Sequence, residues 1–358
     1  MKTSARTRSQ LTAFGRALAA RGLRWRSPAI VIAALVAVAV ASSAALARTT
    51  AARIGNGVVV IRTNLAYEGA SAAGTGRVLT SSGEILTNNH VIRGATKITV
   101  LVPGTSHAYT AGVVGYDAAD DVAVLRAAGA SNLATVSTAA SSKPAVGDRV
   151  TAVGNAGGTG ALTSVSGTVT ELGRSIVVSD DEGGAARLTG LIGADAAVQP
   201  GDSGGPLLNS AGAVIGMDTA GSTGYVSRSS TATQAYAIPI GKALSIARQI
   251  EAGRTSARIH IGATSFLGIL VASSLRDGDF TSPGVVVAGV TRGSPAAAAG
   301  LAPGDVITAI DGHATSTQSS VSAAILAKKP GAKAVIRLID PTGVARSATV
   351  TLASGPAQ

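Results

Sequence analysis

The run Ala194-Asp195-Ala196-Ala197-Val198-Gln199-Pro200-Gly201-Asp202-Ser203-Gly204-Gly205-Pro206-Leu207 sets one serine in a turn with more glycine than ordinary packing calls for. A serine hydroxyl is a weak nucleophile. It becomes effective only beside a base that takes its proton, with preorganised N–H donors waiting for the oxyanion it creates. Glycines at 201, 204 and 205 allow the backbone to bend tightly and to approach a ligand with no Cβ in the way. The amides of Gly201 and Ser203 are then free to converge on a carbonyl oxygen as an oxyanion hole. Ser203 is read as the candidate nucleophile, the alternative being a glycine-rich hairpin with an incidental serine.

A serine nucleophile implies a base, and the base implies a group that orients it. The chain has four histidines. His107 follows a Pro-Gly turn, His260 falls in a linker and His313 follows a hairpin turn, which leaves His90, at the end of an apolar strand beside Asn88 and Asn89. For the orienting acid, Asp121 directly precedes the apolar run Val122-Ala123-Val124-Leu125, which can bury it. Asp117 and Asp120 read as exposed turn residues. The chain order is His90, Asp121, Ser203, the order of chymotrypsin-type enzymes and not that of subtilisin or the α/β-hydrolases.

The elements that must position these residues are short strands spaced by turn signals. They recur at Val58–Ile61, around the Ser81-Ser82-Gly83 turn, at 97–102, 111–116, 122–125, 150–153, 164–172 and 176–178, then at 213–220 and 234–239. Turn signals every 8 to 12 residues or so predict an all-β barrel or sandwich. A helix follows, with Ile240, Ala243, Leu244, Ala247 and Ile250 at helical spacing and Gly253 as its stop. After a linker at 253–262 the pattern changes. Strands at 266–271 and 284–290 are followed by a short helix opened by Ser294-Pro295, a strand at 306–310 ending in the Asp311-Gly312 turn, a helix carrying Val321 and Ile325, and two closing strands.

Composition narrows the class. The 358 residues include no cysteine, so disulfides and thiolate metal sites are excluded, and the length predicts about two domains. Hydrophobic residues make up 46% and charged residues 14%, enough apolar content for sizeable cores. The net charge is +11, but seven Lys and Arg and no acid fall within residues 1–28, leaving only +4 for the rest. That balance gives no case for nucleic acid, which needs a basic face on the folded part. The uncharged run that follows, residues 29–47, is long enough as a helix to cross a bilayer. The basic segment before it would stay in the cytoplasm and send everything after residue 47 outside. An uncleaved, single-pass anchor is favoured; the rival is a signal sequence cleaved after Ala45-Leu46-Ala47, which would release a secreted protein.

The segments Thr87-Asn88-Asn89-His90-Val91-Ile92, Asp121-Val122-Ala123-Val124-Leu125 and Asp195 to Leu207 resemble, in order, the three catalytic motifs of the HtrA (DegP/DegS-like) serine proteases. The resemblance extends from about residue 56 to 353. It implies a mainly β chain: a chymotrypsin-like double β-barrel at 56–252 with the active site between the barrels, joined through a 253–262 linker to a smaller β/α PDZ domain at 263–354. The N-terminal helix at 29–47 and a short linker at 48–55 precede them. It also implies His90 as general base, Asp121 as its orienter and Ser203 as nucleophile of an ATP-independent endoprotease acting on unfolded or signalling proteins. No metal or organic cofactor is implied, and the acidic turn at 180–184 reads as a hairpin loop in preference to a calcium site. A proteolytically silent chaperone or adaptor of the same fold is the alternative.

The sequence departs from the family at Asp202, where an asparagine is usual. Aspartate there is a feature of digestive trypsin-like enzymes, in which it pairs with a freshly cut N-terminus. Activation by a cut after Arg53 is not expected, because the first strand begins too close to that point. The aromatic cluster that builds trimers in several relatives is missing near residues 54–73, so among homo-oligomers a trimer is not expected. Ala197 stands six residues before Ser203, where trypsin-like enzymes carry an acid. With Val198, Thr219 and Ala220 it predicts a small apolar pocket and cleavage after Val, Ala or Ile. Phe266-Leu267-Gly268-Ile269 resembles the carboxylate-binding loop of PDZ domains. A protein C-terminus would add a strand there, its last side chain against Val321 and Ile325.

Overall fold

The computed structural model describes residues 55–67, 69–138, 143–179, 185–221, 234–271 and 284–357. The basic segment, the 29–47 run, Arg53 and the 180–184 turn lie outside the described residues. Six antiparallel strands form the first barrel: β1 (Val58–Leu65), β2 (Ala70–Val78), β3 (Glu84–Thr87), β4 (Lys97–Leu101), β5 (Ala108–Asp117) and β6 (Val122–Ala127). They run in the order β5-β4-β1-β2-β3-β6, and pairing of β5 with β6 closes the ring. Closure leaves no unpaired edge in the ring. Its interior is aliphatic, built on Val59, Ile61, Val78, Ile85, Val100 and Leu125. A one-turn helix, α1 (Asn89–Ile92), follows β3.

The second barrel is also closed, in the order β10-β11-β12-β9-β8-β7. Its strands are β7 (Arg149–Gly154), β8 (Thr163–Ser179), β9 (Ala185–Ala194), β10 (Pro206–Asn209), β11 (Val214–Gly221) and β12 (Ala235–Pro239). The two strands expected at 164–172 and 176–178 are one, β8, which stays paired with β9 across three register shifts. Bulges of this kind let a long strand bend without leaving its ladder. Its partner β9 was not expected, because glycines at 190 and 193 break the alternation that marks a strand. Helix α2 (Ile240–Glu251) then buries Ile240, Ala243, Ala247 and Ile250 and ends at Gly253, whose φ is 66°.

The stretch read as a linker contains a strand, β13 (Ile259–Ile261), which adds to β5 of the first barrel. Beyond it, β14 (Thr264–Phe266) pairs with the final strand, β21 (Ala353–Gly355). The remaining strands form one sheet in the order β15-β16-β17-β19-β20: β15 (Ile269–Val271), β16 (Val285–Val290), β17 (Val306–Ile310), β19 (Lys333–Ile339) and β20 (Ala345–Thr351). The hairpin strand β18 (His313–Ala314) also pairs with β17. Helices α3 (Pro295–Ala298), capped by Ser294, and α4 (Gln318–Leu326), opened by a Thr317–Ser320 capping box, complete this unit. Its core gathers Leu267, Val287, Ile307, Val321, Ile325 and Leu338.

Leu125 is fully buried in the first barrel. Leu125→Ala is expected to cost about 2–5 kcal/mol, the range for a core leucine that leaves a cavity, read from the urea midpoint at constant slope.

Candidate active site

His90 sits in the first turn of α1, where β3 hands the chain to the helix. Its Nδ1 lies 2.8 Å from Asp121 Oδ2, and its main-chain N–H donates to Asp121 Oδ1 at 2.9 Å. A carboxylate can only accept, so Nδ1 carries the hydrogen and the Nε2 lone pair is left for another partner. Asp121 is buried and has a left-handed backbone, φ 55°, an uncommon conformation for a residue with a Cβ. Two further bonds hold it there. Asn88 Nδ2 donates to its carbonyl at 2.9 Å, and Thr219 Oγ1 donates to its Oδ2. Thr219 stands at a register shift between β11 and β12. Desolvation, the largest single influence, lowers the pKa of His90, although its side chain is 45% exposed; the Asp121 charge and hydrogen bond oppose it, and the net result lies above the ordinary 6.5.

The serine turn reaches the same place through Thr75 on β2, which is fully buried. Thr75 N–H donates to the Ser203 carbonyl at 2.8 Å, and its hydroxyl donates to the Gly201 carbonyl at 2.7 Å. The same hydroxyl accepts the Asn155 N–H at 3.0 Å, and the Thr75 carbonyl accepts from Thr87 Oγ1 at 2.7 Å. One residue thus joins β3, three positions before His90, to both the serine turn and the loop after β7. Gly74 marks the meeting point: a Cβ there would lie 2.6 Å from Val91 and 3.3 Å from the Ser203 carbonyl.

The turn itself needs glycine at 201 and 204. Gly201 has φ 99°, and a side chain there would strike the Asn155 carbonyl at 2.2 Å. Gly204 has φ 86° and would strike the Thr75 carbonyl at 2.0 Å. Turn hydrogen bonds use the amides of Asp202, Gly204 and Gly205. Those of Gly201 and Ser203 have no hydrogen-bond partner among the described residues.

The residues expected to line the pocket separate. Ala197 is exposed, whereas Val198 is 3% exposed and packs in the second barrel's core with Ile192, Leu207 and Ile215. The Thr219 hydroxyl is turned to Asp121, and the side chain of Ala220 lies outside the described residues. Asp117 is a correction: it is 3% exposed, not a solvent-facing turn residue. Its Oδ1 accepts the Asp120 N–H at 2.9 Å, and its Oδ2 lies 3.7 Å from Arg258 Nε. Asp120 pairs with Arg258 and, at 2.7 Å, with Lys242 of α2.

In the second unit, Leu267, Val321 and Ile325 are buried in its core, and Ile269 packs against them. Gly268, φ 84°, lies so close to Ser294 that a Cβ would overlap it at 2.2 Å. Phe266 does not face that core: its ring stacks on Tyr67 of the first barrel at 4.7 Å. Strand β15 is the edge of its sheet, with Leu270 66% exposed.

Two closed six-stranded barrels meeting at these residues, followed by a small β/α unit, define a trypsin-like peptidase domain joined to a PDZ domain. The family of trypsin-like peptidase domains matches residues 74–217 and the PDZ family matches 265–349. The chain belongs to the HtrA family. It is 32% identical over 317 residues to the serine protease PepD of Mycobacterium tuberculosis, covering 84% of this chain and 65% of that protein. It is 33% identical over 275 residues to a probable periplasmic serine endoprotease, DegP-like, of Hahella chejuensis, covering 75% of this chain and 55% of that protein. The solved HtrA-type protease AlgW with tripeptide aligns at 30% identity with a TM-score of 0.47, over 84% of this chain and 96% of that one. The chain spans roughly half to two thirds of the length of the curated relatives it matches, from 51% to 65%.

Thr75 and Asn155 carry no signal in the sequence as site residues, since their partners are far away in the chain, and Asn88 stands in the His90 motif without any sign that it reaches the Asp121 carbonyl. Thr75→Val strands the buried Asn155 N–H and Gly201 carbonyl. It is expected to cost about 1–3 kcal/mol for each group left unpaired, measured by chemical denaturation.

Proposed function

We propose that this chain is an exported serine endoprotease. Ser203 Oγ attacks the carbonyl carbon of a peptide bond as His90 Nε2 takes the hydroxyl proton. The charge that builds on the carbonyl oxygen is met by the Gly201 and Ser203 N–H groups, and the imidazolium is held by Asp121. Collapse of the intermediate passes the proton from His90 to the leaving amine and leaves an acyl-Ser203. Water, deprotonated by the same histidine, then releases the acid. The observation that carries the reading is the His90–Asp121 hydrogen bond, tied through Thr75 to a serine turn that leaves two amides unpaired.

The substrates proposed are unfolded or signalling polypeptides cut after small aliphatic residues, on the strength of Ala197 in place of an acid. The PDZ unit would take a protein C-terminus as an added strand on the open edge of β15. We place both domains outside the cytoplasm, anchored through residues 29–47. Curated relatives named as periplasmic endoproteases point the same way. Among the described residues no helix is long and apolar enough to cross a membrane, and the anchor itself lies outside them.

The test follows hydrolysis of an unfolded protein by the full chain in detergent, with products identified by mass spectrometry. Cleavage after Val, Ala or Ile, abolished in Ser203→Ala, is expected; cleavage after Lys or Arg would contradict the pocket, and cleavage surviving Ser203→Ala would contradict the nucleophile.

The pH dependence has a sign. The base works only when neutral, so kcat/KM is expected to rise with pH through a midpoint above 6.5. Asp121→Asn removes the charge that raises His90 and loses control of its tautomer. The midpoint is expected to fall, and kcat to drop by about three to four orders of magnitude in a pH-rate series.

A further inference from the structure

Beneath the serine turn lies a set of charged side chains that the acyl-transfer steps do not use. Asp202 is 3% exposed, Asp218 on β11 is 0% and Arg77 on β2 is 1%. Asp218 grips the turn with its backbone: its carbonyl accepts the Gly204 N–H at 2.8 Å, and its own N–H donates to the Gly205 carbonyl at 2.9 Å. Asp202 Oδ2 accepts the Gln199 N–H at 2.9 Å. On its other side Gly154 packs against it so closely that a Cβ would lie 2.5 Å from Oδ1. Arg77 Nη1 donates at 3.0 Å to the carbonyl of Gly216, two residues before Asp218.

The other polar atoms of the set are buried and have no hydrogen-bond partner among the described residues: Arg77 Nε and Nη2, both carboxyl oxygens of Asp218, and Asp202 Oδ1. Charges in such a place must be balanced. Arg77 forms no ion pair with either carboxyl among the described residues and acts on Asp218 only through space, so its one positive charge offsets at most one carboxylate, and the second carboxyl is accommodated cheaply only when it keeps its proton. The individual tendencies agree. Burial, then the Asp202 charge, pushes Asp218 well above the ordinary carboxyl range against the pull of Arg77. Burial pushes Asp202 up against the Gln199 N–H. Burial lowers Arg77 to about 10, against the pull of Asp218, so it remains charged at neutral pH. Among the described residues, Asp202 and Arg77 are the charges that act on Asp218. The strands on either side of β11 bring Pro206 and Leu207 from β10, and Ala237 and Ile238 from β12. The adjacent Thr219 leads away to Asp121 and His90.

We propose that Asp202, Asp218 and Arg77 form a charge-balanced set in which the two carboxyls share one proton, and that Asp218 thereby acts as a positioning residue for the Gly204–Gly205 backbone that frames Ser203. The effect on rate rests on the reading of Ser203 as nucleophile; the charge balance does not. Loss of the shared proton leaves an uncompensated carboxylate under the turn, which loosens Asp218 from Gly204 and Gly205. In the folded protein this set binds a proton that the unfolded chain releases near 3.8. Its contribution to stability therefore falls as pH rises from there to the folded titration, and is level above it.

The experiment uses the full chain with Ser203→Ala and follows melting temperature between about pH 5 and pH 9. Either Asp202→Asn or Asp218→Asn supplies a neutral group of the same shape. Each is expected to remove a pH dependence equal to about one bound proton, while the contribution of His90 stays common to all variants. The double variant strands Arg77 and is expected to melt lower at every pH; adding Arg77→Met is expected to restore it. A slope that persists in both single variants, or a triple variant no better than the double, overturns the proposal, and a double variant that does not fold is judged by whether the triple does. With Ser203 intact, kcat of the native chain is expected to decline at alkaline pH while either single variant keeps its rate and KM stays level; an identical decline in all three overturns the positioning role. An inactive native chain would overturn the nucleophile instead, and the melting series would still decide the charge balance.

Discussion

A threonine hydroxyl holds the site together. Thr75 is on the first barrel, and its four hydrogen bonds reach Gly201, Ser203, Asn155 and Thr87, which belong to three separate segments of chain. The bonds to Gly201, Asn155 and Thr87 are buried, so each is costly to break, because the partner left behind cannot turn to water. The barrels could fold around their own aliphatic interiors without it. What Thr75 adds, with Arg77 on the Gly216 carbonyl and Thr219 on Asp121, is a buried tie of one barrel to the other beside the serine turn.

The second constraint acts through strand β11. Consecutive residues of that strand serve different parts of the site: Asp218 holds the serine turn by its backbone, and Thr219 sends its hydroxyl to Asp121. Asp121 in turn adopts a left-handed backbone to present both carboxyl oxygens to His90. Strain of this kind persists where surrounding contacts over-determine it, and here Asn88, Thr219 and the His90 amide all do so. The electrostatic outcome is a histidine held above its ordinary pKa by a buried neighbour, an arrangement that would favour the imidazolium in the proton transfer proposed for it.

Much of this was legible in the sequence because the signals are local. The Gly201 to Gly205 turn announces itself through residues that only a tight bend requires, and most strands of both barrels show through alternation and turn spacing. The helix over 240–251 and the Ser294-Pro295 cap were equally plain. What escaped was set by distant partners. Arg77 meets the carbonyl of Gly216, 139 positions away, and Thr75 meets Gly201 at a separation of 126. Strand β13 looked like a linker because its three residues pair with β5 far upstream. Val198 and Phe266 were read as binding surface since both are apolar beside a motif, yet one fills the barrel core and the other stacks on Tyr67. Asp117 looked exposed for want of any local sign that Arg258 comes to meet it.

The central claim is that Ser203 is a nucleophile activated by His90 and served by the unpaired amides of its own turn. A fluorophosphonate tests this directly, since its phosphorus accepts attack by an activated serine and mimics the tetrahedral intermediate. Intact-mass analysis followed by peptide mapping of the treated, folded chain should find one adduct, on Ser203, and none after denaturation or in His90→Ala. No adduct on the folded chain, or equal labelling of Ser203 in the denatured one, would contradict the account.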